Sequence, residues 1–121
     1  MKISFFILFA IIITGLNFIS PELKSQSSQI QQNPASYYLG QNFPNPFNPS
    51  TTINYTLAEH GLVTIKVYNL IGKEMTTLVN EEKPAGNYSV KFDGSSLSSG
   101  VYFYIMKAGD FTQTRKFILM K

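Results

Sequence analysis

The chain has 121 residues, 44% of them apolar and 14% charged, which is room and material for one small packed domain with short appendages. Its formal charge of +3 is too small, and its basic residues too scattered, to support nucleic-acid binding. The absence of cysteine excludes disulfides, thiol chemistry, zinc ribbons and a lipid anchor on cysteine, while leaving export open.

The first predicted element is an export signal. Met1-Lys2 gives a short positive start, and an apolar run from Ile3 to Ile19 follows, densest between Phe5 and Ile13. That core has the length of a signal-peptide h-region, ~7–15 residues, and the polar flank from Ser20 onward suits cleavage after Ser25 or Ser27. The alternative is an uncleaved anchor, for which the run is slightly short and is interrupted by Asn17. Residues 1–25 are therefore assigned to a signal peptide. Residues 26–38 are assigned to a linker, because 26–36 (QSSQIQQNPAS) are polar, uncharged and too poor in apolar side chains to offset ordering entropy.

Residues 41–50 read Gln-Asn-Phe-Pro-Asn-Pro-Phe-Asn-Pro-Ser. Three prolines exclude a helix or a central strand here. Phe43 and Phe47 give the segment two apolar anchors. It is read either as a rigid lead-in whose Phe residues pack over the open end of a core, or as a preformed recognition element.

From Thr51 the pattern changes to short apolar alternations of period 2, the strand signal. Thr51–Leu57 places Ile53, Tyr55 and Leu57 on one face, and Leu62–Tyr68 does the same with Val63, Ile65 and Val67. Glu74–Val79 is a weaker strand. Asn87–Phe92 alternates Tyr88, Val90 and Phe92 against Ser89 and Lys91. Val101–Lys107 is apolar on both faces, as expected of a central strand buried on two sides, and Thr112–Met120 follows it. The breaks between strands carry Gly61, Gly72, Pro84 to Asn87, Asp93-Gly94, Ser99-Gly100 and Ala108 to Asp110, residues with turn chemistry. No stretch has a helical period. The expectation for residues 39–121 is an all-β domain, a small antiparallel immunoglobulin-like sandwich of six or seven strands. Tyr102, at the start of a central strand just after Leu97-Ser98-Ser99-Gly100, stands where a tyrosine corner would bond back to upstream backbone; the alternative is a plain strand aromatic.

Five segments together resemble a known family. Pro44-Asn45-Pro46-Phe47-Asn48-Pro49 with Thr52-Ile53-Asn54-Tyr55 is similar to the opening of the type A C-terminal sorting domain of the type IX secretion system of Bacteroidetes. Val63 to Asn69 with Gly72 resembles the second motif, Ala85 to Tyr88 with Val90 and Phe92-Asp93 the third, and Leu97 to Tyr104 the fourth. Thr114, Lys116-Phe117 and Lys121 resemble the last. The resemblance covers about residues 39–121. It implies an immunoglobulin-like address label without catalytic activity or cofactor, recognised by the outer-membrane translocon after the signal peptide has carried the chain across the inner membrane. It also implies a sortase-like peptidase as partner in many members, and a place at the cell surface or in the medium. Pro46, Phe47 and Pro49 in the first motif, and Gly100, Tyr102, Lys116 and Lys121 in the later ones, are the recognition residues it implies, with the last strand as the chief recognition surface. The sequence departs from the family arrangement in leaving only residues 26–38 between signal and domain, too few for a passenger fold, so a free-standing or truncated module is expected.

The residues themselves assemble no catalytic or metal set. His60 is the single histidine, in a Glu59-His60-Gly61 turn, and Glu81-Glu82-Lys83 reads as a solvated loop. Asp93 and Asp110 adjoin glycines and have turn roles. Two glycosylation sequons, Asn54-Tyr55-Thr56 and Asn87-Tyr88-Ser89, fall in predicted strands and are set aside. No cofactor, nucleic acid or small-molecule substrate is expected. The competing functional reading is a free-standing immunoglobulin-like structural or adhesive module in the periplasm or on the surface, binding a protein by strand addition at an open edge.

Overall fold

A computed structural model describes residues 34–121. The predicted signal peptide and residues 26–33 of the predicted linker lie outside the described residues.

Seven strands follow in chain order: β1 (Tyr38–Leu39), β2 (Ser50–Leu57), β3 (Gly61–Tyr68), β4 (Glu74–Lys83), β5 (Gly86–Asp93), β6 (Gly100–Ala108) and β7 (Phe111–Leu119). There is no helix among the described residues. The strands form two antiparallel sheets, β1-β2-β5 and β4-β3-β6-β7. This order is that of an immunoglobulin-like sandwich, in agreement with the all-β expectation.

Period-2 alternation explains which side chains meet between the sheets. Thr51, Ile53, Tyr55 and Leu57 of β2 are buried, while their neighbours on the strand are not. β3 contributes Val63, Ile65 and Val67, and β6 contributes Tyr102, Tyr104 and Met106. Phe92 of β5 and Phe117 and Leu119 of β7 close the core toward the end where the proline-rich segment lies. Each fully buried aliphatic or aromatic side chain stabilises the fold by ~1.5–3 kcal/mol relative to exposure.

Three features depart from what local pattern suggests. β4 runs to Lys83 rather than stopping near Val79, and its register against β3 shifts between Ile65 and Lys66 and again between Val67 and Tyr68. Leu78 and Met75 are the extra residues, so the alternation is broken twice, and bulges of this kind bend an edge strand away from further pairing. β1 takes in Tyr38, the last residue assigned to the linker, which pairs with Thr56. β6 is central but is not buried on both sides. Tyr102, Tyr104 and Met106 face the core, while Val101, Phe103 and Ile105 are half-buried on an outer face that no third layer of the described residues covers. Their partial cover comes from partners in register, Lys116 and Tyr68 beside Phe103, and Thr114 and Lys66 beside Ile105.

Candidate recognition surface

Among the described residues, the proline-rich segment makes two isolated bridges, one to each sheet. Phe43 pairs antiparallel with Thr52 of β2, and Phe47 pairs parallel with Leu119 of β7. The Phe43–Pro44, Asn45–Pro46 and Asn48–Pro49 peptide bonds are cis. Phe47 donates its N–H to the Ile118 carbonyl at 3.0 Å and accepts from the Met120 N–H at 3.0 Å. Asn45 Oδ1 accepts the Ile118 N–H at 2.9 Å, and Gln41 Nε2 donates to the Lys116 carbonyl at 2.7 Å. In an antiparallel strand, residues whose backbone groups face one neighbour alternate with those facing the other. The even-numbered residues of β7 therefore point away from β6. The segment covers this edge at Lys116, Ile118 and Met120, and among the described residues it does not reach Thr112 and Thr114.

The two phenylalanines of the segment part company. Phe47 is 2% exposed and meets Phe117 edge-on at 4.9 Å and Phe92 at 6.0 Å between ring centroids. Phe43 is 80% exposed, so the expectation of two anchors is corrected to one. The cause is the bridge to Thr52: cross-strand partners share a face, and Thr52 lies on the outer side of β2, between inward-facing Thr51 and Ile53. Asn42, adjacent to Phe43, points inward instead and is 2% exposed. Its Nδ2 donates to Thr51 Oγ1 at 3.0 Å and to the Pro44 carbonyl at 3.1 Å, and Thr51 Oγ1 donates to the same carbonyl at 2.8 Å. This buried polar knot fixes the path of the chain into the first proline, with its buried polar groups paired as packing requires.

Tyr104 ties the knot to the core. Its hydroxyl donates to the Gly40 carbonyl at 2.7 Å and accepts from the Asn42 N–H at 2.8 Å, and its ring stacks on Phe117. Burial pushes its pKa up to about 12, against the opposing effects of the Asn42 N–H and the Arg115 charge. Arg115 Nε donates to the Leu39 carbonyl at 2.7 Å, joining β7 to β1 along the same side of the sandwich.

Beneath the prolines lies the β5–β6 connection. Gly94 donates its N–H to the Pro49 carbonyl at 2.8 Å. A Cβ on Gly94 would stand 3.2 Å from Leu119 Cδ2 and 3.3 Å from Phe47 Cε2, so this glycine permits a close approach to the core. Asp93 accepts from the Ser95 hydroxyl and N–H; these bonds, with Lys91 and Lys121 nearby, hold its carboxyl below the usual carboxylate range. Lys121 Nζ donates to the Ser95 carbonyl at 2.6 Å, and its N–H donates to Ser99 Oγ at 3.0 Å. The Tyr102 hydroxyl donates to the Ser98 carbonyl, four residues back, at 2.7 Å. That is the tyrosine-corner geometry expected of this position.

The residues singled out in the sequence thus border the proline-rich segment or the loop beneath it, Lys116 through its carbonyl bond from Gln41. Pro46, Phe47, Pro49, Gly100, Tyr102 and Lys121 all border the proline segment or the 94–99 loop, and Gly100 pairs with Leu119. Lys116 lies further along β7 on the outer face, opposite Phe103. Pro46 and Pro49 are exposed, Phe47 and Tyr102 are buried, so the first pair can be touched and the second pair can only position. Sequence reasoning did not single out Gln41, Asn42, Asn45, Gly94 or Tyr104, which do the joining. Asn45 stood out in the sequence only as a member of the proline motif, and Asn42 only as lying two residues before Pro44. Among the described residues no group of three or more metal-ligating side chains occurs. What the arrangement offers is a proline-edged surface on a strand edge, with the charges of Asp93, Lys116 and Lys121 beside it.

A family model described as "Secretion system C-terminal sorting domain" matches residues 41–120, from Gln41 through the end of β7. No curated protein and no solved structure matches the chain.

Proposed function

Because the chain belongs to the secretion system C-terminal sorting domain family and carries a type IX sorting signal, we propose that its outer-membrane translocon reads the proline-edged end of the sandwich and directs the chain to the cell surface or medium. The family is non-catalytic in general, and the role assigned here is that of an address. The observation that carries the reading is the joining of residues 41–47 to the edge of β7 through Gln41, Asn45 and Phe47. Two segments far apart in sequence become one surface, so a partner that reads it tests the folded state of the whole domain. Phe43, exposed beside Pro44, is an apolar contact available at that surface, as is Met120, and a proline-rich segment loses little conformational entropy on binding. Residues 1–25 would serve as the signal peptide for the inner membrane, and a sortase-like peptidase would act on the chain at the outer membrane.

The test is a fusion of the signal peptide, a periplasmic reporter and residues 37–121 in a host with a type IX system. Surface-exposed or released reporter, reduced by Phe43→Ala and by Lys116→Glu, supports the reading, since both side chains are exposed and neither change disturbs the core. Reporter held in the periplasm in every version sinks it. The edge at Thr112 and Thr114, which the proline-rich segment does not reach, then favours a binding module that adds a partner strand.

A further inference from the structure

The outer face of the β1-β2-β5 sheet, on the side away from the core, carries a cluster of paired polar side chains. The two sequons, Asn54-Tyr55-Thr56 and Asn87-Tyr88-Ser89, pair antiparallel in register: Asn54 opposite Ser89, Tyr55 opposite Tyr88, Thr56 opposite Asn87. Each triplet therefore presents its hydroxyl to the amide of the other. Ser89 Oγ donates to Asn54 Oδ1 at 2.9 Å, and Thr56 Oγ1 donates to Asn87 Oδ1 at 2.7 Å. The hydroxyls fix both amide orientations and leave the Nδ2–H groups to donate, with hydroxyl lone pairs beside them to accept.

Tyr38 completes the row formed with Thr56 and Asn87. A Cβ on Gly40 would stand 3.2 Å from Tyr38 Cε2 and hydroxyl and 2.9 Å from the Asn54 carbonyl, so the ring lies across space that any side chain at Gly40 would fill. Held there, Tyr38 remains 49% exposed. Ring, amides and hydroxyls line a depression of about 450 Å³ with no charged side chain in its lining. That volume is within the ~300–1,000 Å³ of small-ligand sites, and the row spans two strand spacings, about 10 Å.

We propose that this depression binds a neutral oligosaccharide, with one sugar ring laid on Tyr38 and its hydroxyls paired to Asn54, Thr56, Asn87 and Ser89. An uncharged lining gives nothing to compensate a phosphate or carboxylate. Amide and hydroxyl groups both donate and accept, as sugar hydroxyls do, and a half-exposed aromatic face covers the apolar side of a pyranose. The site shares the outer face of β2 with Phe43 but lies further along the strand, its lining includes no residue of the proline-rich segment, and it stands independently of the sorting reading.

The experiment is a ¹H–¹⁵N NMR titration of the purified full chain with neutral gluco-, manno- and galacto-oligosaccharides. Saturable shifts confined to residues 38, 54–56 and 87–89 are expected with at least one of them. Tyr38→Ala should weaken that binding about tenfold, while Tyr38→Phe, which keeps the ring, should stay within about threefold. Asn87→Ala should weaken it, and Lys91→Ala, outside the lining, should not. An unchanged spectrum elsewhere shows that each variant is folded. No shift at these residues with any of the sugars up to about 20 mM, well above a Kd of about 1 mM, overturns the proposal. Binding that Tyr38→Ala leaves intact overturns it as well.

Discussion

Asn45, set between two prolines, accepts the main-chain N–H of Ile118 at 2.9 Å across 73 positions of sequence. The contact occupies a donor on the β7 edge that would otherwise face solvent. Asn45→Ala is expected to cost ~0.5–1.5 kcal/mol, the net worth of one such hydrogen bond, toward the low end because the site is exposed. Asn45→Asp keeps the acceptor and should cost less. Urea denaturation reads both as shifts in midpoint at constant slope.

Phe47 and Phe43 give opposite predictions. Phe47→Ala empties a site enclosed by Phe92, Phe117 and Leu119 and is expected to cost ~3–5 kcal/mol. Phe43→Ala is expected to change stability by no more than ~0.5 kcal/mol, because the ring is in water. The same denaturation series tests the pair. A large loss at Phe43 would mean that the ring is covered in solution.

Gly94→Ala puts a methyl against Leu119, Phe47 and the Pro49 carbonyl at 3.2 to 3.4 Å. Leu119 and Phe47 are both buried and have little room to yield. Overpacking of this kind costs ~1–3 kcal/mol, to be read as a lowered midpoint in thermal unfolding. A midpoint at or above that of the parent chain would show that the β5–β6 connection moves freely.

Tyr104 predicts an alkaline limit to stability. Its folded pKa is raised from 10.0 to about 12 by burial, so its hydroxyl keeps its proton in the folded state after the unfolded chain has lost it. The contribution is fully present below about pH 10 and is lost as pH rises through 12. Tyr55, also raised by burial, adds in the same direction. Tyr104→Phe should remove part of the alkaline decline. At neutral pH it should cost ~1–3 kcal/mol, because the Gly40 carbonyl and Asn42 N–H lose their partner. Unfolding midpoints measured from pH 7 to 11.5 check both statements.

The sandwich was legible because its long strands alternate cleanly: Ile53, Tyr55 and Leu57, and Val63, Ile65 and Val67, each declare a face without help from tertiary context. β4 was faint because Leu78 and Met75 interrupt the period, and β1 was unreadable because two residues carry no period at all. The candidate surface was half legible. The prolines marked the segment, and of the two readings left open for Tyr102 the tyrosine corner is the one observed. Which phenylalanine turns inward was decided by the Phe43–Thr52 bridge, and a bridge to another strand leaves no trace in local spacing. Gly94 read as a turn residue, and its second role, making room for Leu119 and Phe47, depends on atoms 25 and more positions away.

The parallel bridge between Phe47 and Leu119 also orders events in time. Phe47 leaves the ribosome well before Leu119 exists, and at ~5–20 residues per second the interval is on the order of several seconds. Throughout it the proline segment has no strand to join and Phe47 has no Phe117 to pack against. The finished surface therefore reports that translation has run through β7, and a chain stalled or clipped upstream of that strand has no such surface to show.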